Sequence, residues 1–217
     1  MTAMTTAIIG VGNLGSTVAR HLVGGGEPVV LAAKDESHAE ALAQELEPLA
    51  RSNSVDYAIA TADIVVFAVW LDTTKELIAK HRDLLENKIV VDPSNPIGFD
   101  ESGQMIRTLP EGESSGSVVA GLLPGGAHYV KAFGTLGADQ LATATNNEPR
   151  TVLFYATDDD VAEATAKRLI ATAGFEPLKV GGLSDAGRIE GPDGDLQGRI
   201  FQLDAAIATV ATEGAKS

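Results

Sequence analysis

The 217-residue sequence predicts an α/β protein built on a doubly wound parallel sheet, followed by a small C-terminal α/β lobe. Three observations predict it. Short apolar runs rich in β-branched residues alternate with segments of helical periodicity, which is the pattern of buried parallel strands joined by crossover helices. The run Ala7-Ile8-Ile9 leads directly into the hexad Gly10-Val11-Gly12-Asn13-Leu14-Gly15. Behind it Leu14, Val18 and Leu22 recur on one helical face until Gly24-Gly25-Gly26 ends the helix. Strand, glycine turn and helix in that order make the opening unit Rossmann-type.

The remaining elements follow in order. Val29-Val30-Leu31 reads as the second strand, and Asp35 or Ser37 caps a helix through Ala39, Leu42, Leu46 and Leu49. Ile64 to Val69 is the strongest strand, followed by a helix around Leu77, Ile78, Leu84 and Leu85. Ile89-Val90-Val91 runs into Asp92-Pro93-Ser94-Asn95-Pro96, where two prolines end regular structure and open a polar loop to about Ser115. A short helix near Val118 to Leu123 and a strand from His128 to Ala132 complete a dinucleotide-binding domain, residues 1–148, with Gly134 and Gly137 marking a further loop. Residues 149–217 form the small lobe, with strands at Val152 to Tyr155 and Leu178 to Val180. Its helices run from Asp159 to Ala173 and from about Leu196 to Ala211.

Composition narrows the function. The formal net charge of -14 opposes attachment to nucleic acids or anionic membranes. An anionic cofactor remains compatible with it, because backbone amides and one or two local cations suffice to hold a phosphate. With no cysteine, thiolate nucleophiles and Cys-ligated metals are absent. No run of 18 apolar residues and no basic, apolar leader occurs, so the expected setting is cytoplasmic.

In the hexad, Gly10 permits the tight turn, Gly12 lets the backbone approach a pyrophosphate, and Gly15 lets helix and strand pack closely. The end of the second strand decides between NAD and NADP. It carries Ala33-Lys34-Asp35, with Lys34 where a ribose-phosphate partner sits and His38 one helical turn on, and this favours NADP. Asp35 has two readings, ribose contact or helix cap. Val69-Trp70, Asn95-Pro96 and Phe133-Gly134-Thr135-Leu136 follow other strands and should edge the same crevice. Trp70 either lines the nicotinamide pocket or caps the core.

No catalytic acid or base stands out. His21 and His81 fall among polar residues in helical patterns and read as surface positions, and His128 begins a strand. No residue cluster suggests a metal, and Asp158-Asp159-Asp160 reads as a helix N-terminus. Hydride transfer between two flat rings needs mainly positioning, and that chemistry suits the sequence. Two other readings stay open: reduction of a small carbonyl or imine with Tyr129 or His128 as proton donor, and a non-catalytic NADP(H)-binding sensor.

Nearly the whole chain resembles the NADP oxidoreductases dependent on the deazaflavin coenzyme F420, whose relatives include the cytosolic domains of ferric reductases. The likeness rests on Ile9 to Gly15, on the basic position after the second strand, and on Asp92-Pro93 with Asn95-Pro96. It rests further on Val130-Lys131-Ala132-Phe133-Gly134-Thr135-Leu136 and on the closing stretch Gly181 to Glu190. The resemblance implies direct hydride exchange between NADPH and F420, or FMN or FAD as a flavin acceptor, in a homodimer and without a protein acid or base. It implies that Gly12, Asn13 and Leu14 hold the pyrophosphate, Lys34 the ribose phosphate, and Ala132 and Phe133 the nicotinamide border. Gly134, Leu136 and Leu183 would face the acceptor ring. The sequence departs from the family pattern at Ala33-Lys34, where serine and arginine are usual and lysine lacks the bidentate fork. It departs again at Gly134, where loss of a polar side chain is expected to enlarge the pocket, and around Gly194.

Overall fold

The computed structural model describes residues 4–213. The first unit is β1 (Thr6–Ile9), α1 (Asn13–Gly24) and β2 (Val29–Ala32), followed by α2 (Glu36–Glu45), β3 (Ala50–Ser52), α3 (Val55–Thr61) and β4 (Ile64–Phe67). Next come α4 (Leu71–His81), β5 (Ile89–Asp92), β6 (Ile97–Phe99), β7 (Met105–Arg107), α5 (Ser115–Leu122) and β8 (His128–Ala132). The chain closes with α6 (Ala138–Ala144), β9 (Val152–Ala156), α7 (Asp160–Thr172), β10 (Glu176–Gly181), a 3-10 segment Leu183–Ile189 and α8 (Leu203–Glu213).

Eight strands form one sheet in the order β10-β9-β8-β5-β4-β1-β2-β3. The six strands from β8 to β3 are mutually parallel, and the order reverses at β1, where β2 lies on one side and β4 on the other. The register is flush: Ile9 stands level with Ala32 and Phe67, Val66 with Val91, and Asp92 with Lys131. Every loop leaving a carboxyl end therefore starts at one level, which is where open parallel sheets bind ligands. Val and Ile dominate these strands because both faces are covered, by one apolar cluster under α1, α2, α6 and α7 and another under α3, α4 and α5.

Several expectations change. The sheet is not wholly parallel: β9 pairs antiparallel to β8, so β9 and β10 run opposite to the other six. Residues after 148 build no second sheet but extend the edge of the first, covered by a cluster that includes Phe154, Ile189, Leu196 and Phe201. The polar loop after Asp92 contains the hairpin β6–β7, because the prolines precede it and the Asp100 carboxylate organises its turn by accepting from Ser102 and Gln104. The final helix begins at Leu203 rather than Leu196, since Leu196 is buried in the edge cluster and Gly198 turns the chain at φ 71°.

His81 is buried, not on the surface, and its ring lies 3.3 Å from Asp56. Burial lowers the pKa of both His81 and His21 below the usual value, and His21 sits beside the Phe175 ring. On acidification the unfolded chain therefore takes up protons before the folded one, and stability is lost as pH falls below about 6.5. Thermal unfolding between pH 7 and pH 5 should show a falling midpoint, and the double change His21→Gln, His81→Gln should flatten that slope; an unchanged slope would contradict the assignment.

Candidate dinucleotide site

Gly10 ends β1 at φ 97°, a backbone geometry that glycine alone adopts without strain. A Cβ there would overlap the Ala68 carbonyl at the end of β4 and the Val69 side chain. A Cβ at Gly15 would overlap the Gly10 carbonyl. The turn, the first helix and the neighbouring strand end are thus packed backbone to backbone at the point where strand order reverses. Gly12 differs, because a Cβ added to it would meet nothing within 4 Å among the described residues. It is the N-cap of α1, no side chain caps that helix, and no acid lies in its first turn. Its amides and the positive end of the helix dipole are available to an anion, and Gly12 and Asn13 are exposed to receive one. The cradle fits a pyrophosphate, with Leu14 half-buried beneath it on the core.

The end of β2 separates the roles that the sequence left joined. Asp35 is the N-cap of α2: its carboxylate accepts from the Ser37 amide at 3.1 Å and the Ser37 hydroxyl at 2.6 Å, which hold its pKa below the usual range. Lys34 is exposed and forms no ion pair among the described residues, while His38 is exposed 4.0 Å from Asp35. Ala33 packs against the core beside them.

Across the crevice, the loops after β5 and β8 are tied together. The Asn95 side-chain amide donates to the Gly134 carbonyl at 2.9 Å, and its oxygen accepts from the Gly191 amide at 3.1 Å. Gly134 opens no extra space, because a Cβ there would overlap the Pro93 carbonyl; the expected enlargement is filled by backbone. Phe133 has φ 66°, rare for an aromatic residue, and its ring is buried in the core with Ala132 and Leu136. The Phe133 and Leu136 side chains are therefore withheld from the crevice, contrary to the roles the resemblance implied. Pro96 is buried as well, and Leu183 is half-buried against the cluster under α5. Trp70 does not cap the core: it is 62% exposed, meets Phe99 edge to face at 6.2 Å, and shares with it a cavity of about 210 Å³ beside Leu71 and Ile97.

Sequence reasoning missed a buried polar network behind these loops. Lys131 Nζ donates to Asp92 at 3.1 Å, to the Ser115 hydroxyl at 2.7 Å and to the Ser94 carbonyl, and lies 3.8 Å from Glu190. The Tyr129 hydroxyl donates to Asp92 at 2.7 Å, and burial together with Asp92 raises its pKa well above the usual value. Glu190 accepts from the Ser115 and Gly116 amides, so a carboxylate from the C-terminal segment caps α5. One signal was available: Lys131 stands between Val130 and Ala132 near the end of β8, beside a neighbouring strand that ends in Asp92. The other candidate donor, His128, stands at the amino end of β8, 2.7 Å from the Asp159 carboxylate that caps α7.

A family model described as NADP oxidoreductase, coenzyme F420-dependent, matches residues 5–96, which contain the glycine cradle, Lys34 and Asn95. Over these residues the chain is similar to that family. It is an NADP-dependent oxidoreductase. It is 25% identical over 197 residues to an F420-dependent NADP reductase of Methanothermobacter thermautotrophicus, covering 86% of this chain and 85% of the relative. Identity to the metalloreductase STEAP3 of Rattus norvegicus is 28% over 188 residues, 87% of this chain and 36% of that protein, so the chain spans about a third of that relative's length. A crystal structure of a hypothetical protein from Sinorhizobium meliloti superposes with a TM-score of 0.83 at 28% identity, covering 94% of this chain and 97% of that one. Among the described residues, no helix is long and apolar enough to cross a membrane, and no group of His, Asp or Glu is placed to hold a metal ion.

The last two glycines of the hexad separate folding from binding. Gly15→Ala should destabilise the protein by about 1–3 kcal/mol through overpacking. Gly12→Ala should stay within about 0.5 kcal/mol of the unchanged protein, yet weaken NADPH binding at least tenfold, an estimate from about 1.4 kcal/mol of lost contact. Denaturant unfolding and fluorescence titration read the two effects separately. Normal NADPH affinity in Gly12→Ala would contradict the cradle.

Proposed function

We propose that the protein transfers hydride directly between NADPH and a deazaflavin of the coenzyme F420 type, with a flavin such as FMN as the second acceptor of the same kind. The observation that carries this reading is the position of the two groups a carbonyl or imine reductase would recruit as proton donors. Tyr129 is buried with its hydroxyl given to Asp92, and His128 is engaged with Asp159 at the strand end opposite the crevice. Reduction of a carbonyl needs a proton delivered to oxygen, whereas exchange between two redox rings needs contact geometry and little else. The similarity of residues 5–96 to the coenzyme F420-dependent NADP oxidoreductases supports the same chemistry.

NADPH, when bound, supplies the hydride. The protein's residues supply placement. Gly12 and the first turn of α1 hold the pyrophosphate, and Lys34 pairs with the ribose phosphate as a point charge. Asn95 fixes the loops that border the nicotinamide end, and Trp70 with Phe99 forms an aromatic wall at the mouth. The functional unit is proposed to be a homodimer acting on a small-molecule acceptor; the exposed Leu203 and Ile207 of α8 offer an apolar contact for a second copy.

Two measurements test this. Stopped-flow mixing of the protein with NADPH and F420 should show reciprocal absorbance changes at rates set by both concentrations; no exchange with either F420 or FMN would remove the proposal. Lys34→Ala should weaken NADPH binding about tenfold while leaving NADH binding within about twofold, by removing a charge-assisted phosphate contact alone. Equal loss for both nucleotides would contradict the role given to Lys34.

A further inference from the structure

Lys131 is only 1% exposed, so it touches neither cofactor nor acceptor, yet it joins three segments that meet at the carboxyl edge of the sheet. Its ammonium binds Asp92 and the Ser94 carbonyl in the loop after β5, the Ser115 hydroxyl at the start of α5, and approaches Glu190 from the C-terminal segment. Ser115 closes the ring by donating to the Ser94 carbonyl at 3.0 Å, and the Asp92 carboxylate accepts from the Ser94 amide at 2.8 Å. Asn95, the residue that follows Ser94, carries the bonds to Gly134 and Gly191. Lys131 itself lies two residues before Phe133, whose left-handed backbone starts the other crevice loop. Each loop bordering the proposed nicotinamide position is thus one or two residues from an atom that the buried ammonium holds. The pyrophosphate cradle, by contrast, is built by β1, α1 and β4 and, among the described residues, shares no bond with this network.

We propose that Lys131 is a positioning residue for the nicotinamide end of the cofactor, acting through Ser94–Asn95 and Glu190 to keep the two crevice loops and the C-terminal segment in one arrangement. The inference rests on the NADPH reading of the crevice but not on the identity of the acceptor. Buried charge suits this task because its bonds are directional and leaving any of them unmade is costly, so the arrangement has few alternatives. An apolar core residue would fill the same volume without specifying it.

The test compares NADPH with 2′-phospho-ADP-ribose, which retains the adenine, the phosphate and the pyrophosphate but lacks the nicotinamide. In the unchanged protein NADPH should bind more tightly of the two. In Lys131→Met that preference should shrink at least fivefold, with 2′-phospho-ADP-ribose affinity within about twofold, an estimate that assigns the nicotinamide contact about 1 kcal/mol through the tenfold-per-1.4 kcal/mol conversion. Glu190→Gln keeps the shape of the site and should shift the ratio in the same direction, and it answers the question if Lys131→Met does not fold. Arg168→Met breaks the ion pair with Glu27 at the amino edge of the sheet. It should lower the unfolding midpoint without changing the ratio. Equal losses for both ligands, an unchanged ratio in the folded variants, or a ratio equally altered by Arg168→Met would overturn the proposal. Failure of F420 exchange leaves this result readable, because only binding is measured; absence of NADPH binding to the unchanged protein would overturn both readings.

Discussion

At the reversal of strand order, β1, α1 and β4 approach so closely that Gly10 and Gly15 have room for no side chain. This backbone contact sets the position of the α1 N-terminus relative to the sheet, and the flush register then places every other loop of the carboxyl edge at a known height beside it. A residue with a Cβ at either glycine would push the helix from the strand and carry the amides of its first turn with it. The open helix end proposed as an anion site is therefore a consequence of packing. It does not depend on the net charge of -14, because the helix end supplies its own local field.

The opposite half of the crevice is held differently. Its loops approach through side chains: Asn95 reaches Gly134 and Gly191, and the Lys131 network reaches Asp92, Ser94, Ser115 and Glu190. Burying one ammonium with two carboxylates is unfavourable unless each charge finds further partners. Here Tyr129 and the Ser94 amide serve Asp92, and the free amides at the start of α5 serve Glu190. The C-terminal segment thereby becomes part of the crevice, although its strands sit at the far edge of the sheet.

The strand, glycine turn and helix of the proposed pyrophosphate half were legible in the sequence because their determinants are local. A strand, three glycines and a helical stripe occupy fewer than twenty consecutive residues, and each has one physical reading. Asp35 was legible only to the level of two alternatives, since the choice depended on whether the Ser37 amide was within reach. The nicotinamide half was not legible. Gly134 suggested space, but the Pro93 carbonyl from the loop after β5 fills it; Phe133 and Leu136 suggested a lining, but the backbone turn at Phe133 sends its ring into the core. In the fold, β3 is three residues long and the hairpin lies between prolines, so neither carries a period long enough to read. The reversed direction of β9 arises from pairing across the sheet edge, and no local pattern encodes it.

The Gly10–Gly15 turn and the end of β2 are proposed to bind the phosphates of NADPH. Hydrogen exchange with and without saturating NADPH measures this most directly. Slowed exchange at the amides of residues 12–16 and 34–38, with the amino edge of the sheet unchanged, is the predicted result. Protection confined to other segments, or none at these residues under conditions where NADPH is bound, would contradict it.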